Sequence, residues 1–251
     1  MAKALQGRQA TFVPPDTIKG QRWWMQPVSV VTVLTGFGIY ALWAVAQGHG
    51  FFDPYLSPFY SPKVGVPGPI PATFYILLMP LGFRATCYYY RKAYYRAFFW
   101  DPPACARPEL RQNRRYRGEG AFPFILNNLH RFFLYLAVLI LVFLWIDAVK
   151  AFDFNGHFGI GLGSALMLFN VCALSGYTFS CHSLRHLVGG NVACFSCVRG
   201  GNARHGMWRA VSLLNPRHPQ FAWISLFSVL SVDIYIRLLM AGAFIDPRWV
   251  L

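Results

Sequence analysis

Five long apolar runs, separated by polar and basic stretches, set the rhythm of this 251-residue chain. Residues 28–47 carry no charge and, at about 1.5 Å per residue, are long enough to cross a hydrocarbon layer. The second run, about 70–90, contains Pro80 and Arg84, which imply a kink and a basic group near one end. The third, about 122–146, holds the stretch LYLAVLILVFLWI but opens with Asn127, Asn128, His130 and Arg131. The fourth, 158–180, is uncharged, and its GIGLG permits close helix approach. The fifth, about 220–244, holds Asp233 and Arg237 at i and i+4. The pattern predicts an all-α fold, an integral membrane bundle of five transmembrane helices forming one domain over 1–251.

Composition supports that reading: 55% of the residues are hydrophobic and only 13% charged, too apolar for a soluble domain of this size. The formal charge of +14 would suggest nucleic acid in a soluble protein. Here the basic residues lie in loops between apolar runs, where the positive-inside rule explains them and no nucleic-acid partner is expected. Eighteen lysines and arginines fall at one end of the spans, against Lys63, Lys150 and Arg248 at the other. The expectation is therefore a multi-pass protein of the cell membrane with a cytoplasmic N-terminal segment 1–27, basic cytoplasmic loops at 91–121 and 183–219, and an outer C-terminus. The first 27 residues lack a short apolar core followed by a small-residue cleavage site, so no cleavable signal peptide is expected.

Candidate chemistry gathers at the basic end, where Cys87, His130, Cys181, His182, His186 and His218 all fall. Burying polar groups near hydrocarbon is costly unless each finds a partner, so their gathering suggests a metal or redox centre. Cys87 and Cys181 close the second and fourth spans, and His218 stands just before the fifth. His130 lies about eight residues into the third, roughly 12 Å by helical rise. Two thiolates with two imidazoles suit a Rieske-type [2Fe-2S] centre, in which two His replace two Cys on one iron; zinc would accept the same donors. His182 and His186, at i and i+4, form a rival chelating pair.

Other readings stay open. A haem b could be held by two of His130, His182, His186 and His218, or the chain could be a membrane scaffold with structural zinc in its loops. Two haems are not expected, because the first span has no His and His49 and His157 lie in loops. Cys194 and Cys197 form a CxxC with His205 downstream, a weak zinc signal without a second half. Cytoplasmic thiols are expected to stay reduced. Cys105 is a spare thiol on the same side, and Cys172, mid-span, is assigned to packing. Asp233 and Arg237 are expected to be a structural pair in the outer half. Arg131 can face a quinone carbonyl or snorkel to the interface. A transporter is disfavoured, since no second broken span and no internal repeat are evident.

The stretches TCYYYRKAYYRAFFWDPPAC, NLHRFF, SCHSLRHLVGG and LNPRHPQFAW resemble the membrane-anchor subunit of actinobacterial succinate dehydrogenases. More narrowly, the chain is similar to the mycobacterial form whose anchor carries a Rieske-type cluster in place of haem. The resemblance implies a subunit of succinate:quinone oxidoreductase, working with a flavoprotein subunit that oxidises succinate and an iron–sulfur subunit that delivers electrons. It implies menaquinone or ubiquinone as acceptor and a ligand set of two Cys and two His. Cys87 and Cys181 are the preferred thiolates and His130 and His218 the preferred imidazoles, with His182 and His186 as the rival pair. Tyr88 and Arg131 are the expected quinone neighbours.

Overall fold

The computed structural model of the chain describes residues 24–63, 65, 69, 71–99 and 124–251. Cys105, most of the N-terminal segment 1–27 and most of the 91–121 loop lie outside the described residues. In chain order the elements are α1 (Met25–Ala46), β1 (Phe51–Phe52), β2 (Tyr55–Leu56), α2 (Ala72–Thr86), α3 (Tyr88–Tyr94), α4 (His130–Lys150), β3 (Asp153–Phe154), β4 (His157–Gly161), α5 (Leu162–Phe179), α6 (His182–Arg185), α7 (Gly201–Leu214), α8 (His218–Met240) and β5 (Arg248–Val250).

Among the described residues, four helical stretches are long and apolar enough to cross a membrane: Met25–Ala46, Ile125–Lys150, Leu162–Phe179 and Gly201–Met240. The expected second span is represented by α2, which has 15 residues and reaches about 22 Å. It stops short of the expected 70–90 because the Cys87 backbone is extended, at φ −62° and ψ 132°, and so ends α2 and caps α3. The same break recurs at Cys181, at φ −64° and ψ 137°, between α5 and α6; there the sulfur also accepts the Ser183 N–H at 3.3 Å.

Other boundaries shift too. A 3₁₀ turn, Phe124–Leu129, precedes α4, so His130 is the first residue of its α-helix rather than lying eight residues inside one. Residues 183–219, expected as a loop, are largely helical, with a π turn at His186–Gly190 and the 14-residue α7. The fold is also not purely helical. The end opposite the Cys/His groups carries a two-stranded sheet, β1–β2, and a three-stranded antiparallel sheet in the order β3–β4–β5. Residues 158–161, expected within the fourth span, belong to β4 instead. The β3–β4 hairpin turns through Asn155 at φ 56° and Gly156 at φ 86°, the left-handed pair a tight two-residue turn requires.

The bundle packs α5 along α8, α2 along α4, and α4 along α5, with α1 against α2. Its outer surface is apolar: Ile39, Phe132, Leu139 and Val149 are all more than half exposed, as a lipid-facing surface requires. At the sheet end, buried carboxylates fasten the loops to the helices. Asp233 accepts from Arg237 Nε at 2.7 Å, Tyr40 at 2.5 Å and Ser57, so the expected pair with Arg237 forms inside a larger structural network. Asp246 accepts from Tyr55 at 2.6 Å, from Tyr235 and from the Gly163 N–H at the start of α5. Burial and then the bond to Asp246 raise the Tyr55 phenol above its ordinary pKa. Asp147 accepts from Ser61 and holds the loop before α2.

Candidate metal centre

At the opposite end the bundle brings four of the six candidate donors together. His130 Nε2 lies 3.1 Å from Cys181 Sγ, and His218 Nε2 lies 3.3 Å from Cys87 Sγ. All four residues are buried, the cysteines at 2% and 1% exposure and the histidines at 8% and 7%. Each comes from the end of a different long helix: Cys87 after α2, His130 opening α4, Cys181 after α5 and His218 opening α8.

The other ring nitrogens are fixed from behind. His130 Nδ1 meets Thr86 Oγ1 at 3.0 Å, and His218 Nδ1 meets Ser180 Oγ at 2.8 Å. Each hydroxyl has one proton, and each gives it to a backbone carbonyl, Thr86 to Gly82 at 2.7 Å and Ser180 to Tyr177 at 3.2 Å. A hydroxyl that donates to its carbonyl accepts from the imidazole, the tautomer that puts the proton on Nδ1 and turns the Nε2 lone pair to the sulfur. A metal-binding histidine is held in the same way. The ring faces are also fixed: Phe83 stacks on His130 at 4.6 Å and 9°, and Tyr177 stacks on His218 at 4.9 Å and 17°.

These contacts expose an internal repeat, contrary to the expectation of none. Gly82-Phe83-x-x-Thr86-Cys87 matches Gly176-Tyr177-x-x-Ser180-Cys181, and His130-x-x-Phe133 matches His218-x-x-Phe221. In each copy the aromatic residue stacks on the copy's own histidine, and the hydroxyl before the cysteine accepts from it. The glycine lets the helices close: a Cβ at Gly82 would come within 2.2 Å of the Phe133 ring, and one at Gly176 within 2.6 Å of the Phe221 ring. The sulfur alone crosses over, each cysteine facing the histidine of the other copy. The second broken span is thus real, but both breaks lie at helix ends and serve this cluster.

Among the described residues, no three His, Cys, Asp or Glu side chains converge as a single metal ion would require. The donors instead stand as two Cys–His pairs, an arrangement that fits a two-metal cluster better than one zinc ion. Two donors on one tetrahedral metal, at about 2.3 Å to sulfur and 2.1 Å to nitrogen, are roughly 3.6 Å apart. Both pairs are close to that spacing. The Tyr177 hydroxyl is buried among these rings beside Cys87, with no nitrogen or oxygen partner among the described residues.

A cavity of about 770 Å³ opens onto the cluster, lined by Cys87, His130, Cys181 and His218 and also by His182, His186, Tyr88 and Arg131. His182 and His186 are exposed at its rim and do not complete the donor set. Tyr88 is 52% exposed, with Arg91 stacked 4.5 Å over its ring, and Arg131 is exposed. Asn127, not singled out by sequence, also lines this cavity, and its side-chain nitrogen is buried without a partner among the described residues.

The remaining cysteines depart from expectation. Cys194 and Cys197 are joined in a disulfide, so they are neither reduced nor free to hold zinc. His205 stacks near Phe195 and Trp208 instead. Cys172 is exposed on the helix surface rather than packed.

The family model of the actinobacterial succinate dehydrogenase subunit SdhC matches residues 25–242. A solved structure, the Mycobacterium smegmatis Sdh1 complex in the apo form, contains a chain similar to this one, with 39% identity and a TM-score of 0.83 over 97% of each chain. No curated protein matches.

Proposed function

Because the chain belongs to the actinobacterial succinate dehydrogenase subunit SdhC family, and so is a membrane subunit of succinate dehydrogenase, we propose that it relays electrons to quinone through a [2Fe-2S] cluster. The cluster is held by Cys87, Cys181, His130 and His218. The flavoprotein subunit oxidises succinate, and the iron–sulfur subunit hands the electrons on. Assembly with such subunits is supported by the likeness to a chain of the Sdh1 complex.

The observation that carries this reading is the pairing of each Nε2 with a cysteine sulfur, at 3.1 and 3.3 Å, with a hydroxyl behind each Nδ1. Two such buried Cys–His pairs from four helix ends are more polar groups than an ordinary membrane core gathers in one place. A bound cluster supplies one-electron transfer at a potential set by its ligands and surroundings. The chain's own residues hold the imidazoles, exclude bulk water through Phe83 and Tyr177, and keep the site at the base of a cavity large enough for a quinone head group. In that cavity Asn127 and Arg131 offer donors to a quinone carbonyl, with Tyr88 beside them. A haem b gains no support, since both buried imidazoles are committed to sulfur at about 3 Å. The topology that suits this role has five crossings, with α2 and α3 together as the second, the Cys/His end and N-terminus cytoplasmic, and the C-terminus outside.

The test uses the assembled complex. Cys87→Ala should abolish quinone reduction while leaving succinate oxidation with a soluble dye acceptor intact. Unimpaired quinone reduction by that variant would refute the proposal.

A further inference from the structure

Among the described residues, no carboxylate pairs with Arg84. It lies on α2, three residues before Cys87, and donates to the Tyr90 hydroxyl at 2.9 Å, the Ala222 carbonyl at 3.0 Å and the Ser225 hydroxyl at 2.8 Å. All three acceptors are neutral. The described carboxylates are Asp53, Asp147, Asp153, Asp233 and Asp246, and none pairs with Arg84. They belong to the sheet end, where Asp147, Asp233 and Asp246 are already engaged with Ser61, Arg237 and Tyr55.

This cation is directed at the Cys/His cluster. Its guanidinium carbon stands 4.6 Å from the centre of the Tyr177 ring, and that ring stacks on His218. Ala222 and Ser225 sit one and two turns beyond His218 on α8, so the same bonds brace the helix ends that present Cys87 and His218. Bracing alone needs only a neutral donor. A guanidinium in the apolar part of a membrane helix is costly, and intramembrane cations without a counter-ion mark function by default.

We propose that Arg84 is the counter-cation of the reduced centre. The inference rests on the [2Fe-2S] reading above. Two ferric ions, two bridging sulfides and two thiolates sum to no net charge. One electron from the iron–sulfur subunit reduces one iron and leaves a single negative charge, with no bond made or broken. A fixed positive charge nearby in a low-dielectric setting favours that state and raises the reduction potential. Arg84 is a tuning residue and not a ligand.

Redox titration of the purified complex, followed by the electron paramagnetic resonance signal of the reduced cluster, tests the proposal. Arg84→Gln should lower the midpoint by about a tenfold change in the reduction equilibrium, 59 mV for a one-electron couple, with unchanged g values. Arg84→Lys should restore most of it. Ser225→Asp, which keeps Arg84 but neutralises it in place, should also lower the midpoint, and it decides the matter if Arg84→Gln does not assemble. An unchanged midpoint in an assembled charge-removing variant overturns the role of Arg84. A wild-type complex with no reduced-iron signal beyond those that persist in Cys87→Ala overturns the cluster reading instead.

Discussion

His130 and Cys181 come from different copies of the internal repeat, yet their Nε2 and Sγ atoms lie 3.1 Å apart. His218 and Cys87 make the reciprocal contact at 3.3 Å. Were a two-iron cluster bound, donors on opposite irons would be held further apart by the bridging sulfides, so these spacings would put one cysteine and one histidine on each iron. That differs from the two-histidine iron of a Rieske centre. In the oxidised complex enriched in ⁵⁷Fe, the part of the Mössbauer spectrum that is lost in Cys87→Ala should therefore be one quadrupole doublet. Two doublets of different isomer shift would instead place both imidazoles on one iron.

The hydroxyls behind the imidazoles should matter as much as their small size allows. Thr86→Val and Ser180→Ala remove the acceptor for Nδ1–H, and loss of such a supporting bond typically costs about 10- to 100-fold in metal affinity. Iron per complex after challenge with a chelator should fall in both variants, and Thr86→Ser should retain it. Equal retention in all three would show that the tautomer is set by something else.

Most of the span pattern was legible in the sequence, because long apolar runs between basic loops have few other readings. The four residues that the structure brings together were legible as well, through the rule of one ligand per helix, while the rival pair His182 and His186 lies at the cavity rim. The breaks at Cys87 and Cys181 were not legible. Neither has a flanking glycine or proline, so the local sequence continues a helix and only tertiary contacts impose the extended backbone. The repeat could have revealed them, since Gly-aromatic-x-x-hydroxyl-Cys occurs at both breaks and His-x-x-Phe opens both partner helices. The β4 strand was hidden because residues 158–161 read as the apolar start of a span.

Close helix approach at the repeat's two glycines predicts a stability effect. Gly82→Ala and Gly176→Ala each drive a methyl into a phenylalanine ring, and such overpacking costs about 1–3 kcal/mol. Thermal unfolding of the detergent-solubilised complex should shift down for both. Gly36→Ala, where nothing lies within 4 Å, is the control and should not shift.

At the sheet end, Asp233 should prove structural. Asp233 is fully buried and bonds Arg237, Tyr40 and Ser57; removing one partner of a buried pair costs about 3–5 kcal/mol. Asp233→Asn should therefore lower the melting temperature, while the assembled fraction keeps its iron content and quinone reduction per complex. A variant that melts normally but loses turnover would contradict a purely structural role for this network.

The central claim is that two cysteines and two histidines from four helix ends hold a two-iron cluster, and low-temperature electron paramagnetic resonance of the reduced, purified complex tests it most directly. The account predicts, beside the signals of the iron–sulfur subunit, a [2Fe-2S] signal with the low average g value of mixed nitrogen and sulfur ligation, absent from the Cys87→Ala complex. An intact complex in which the same spectrum appears with and without Cys87 would contradict it.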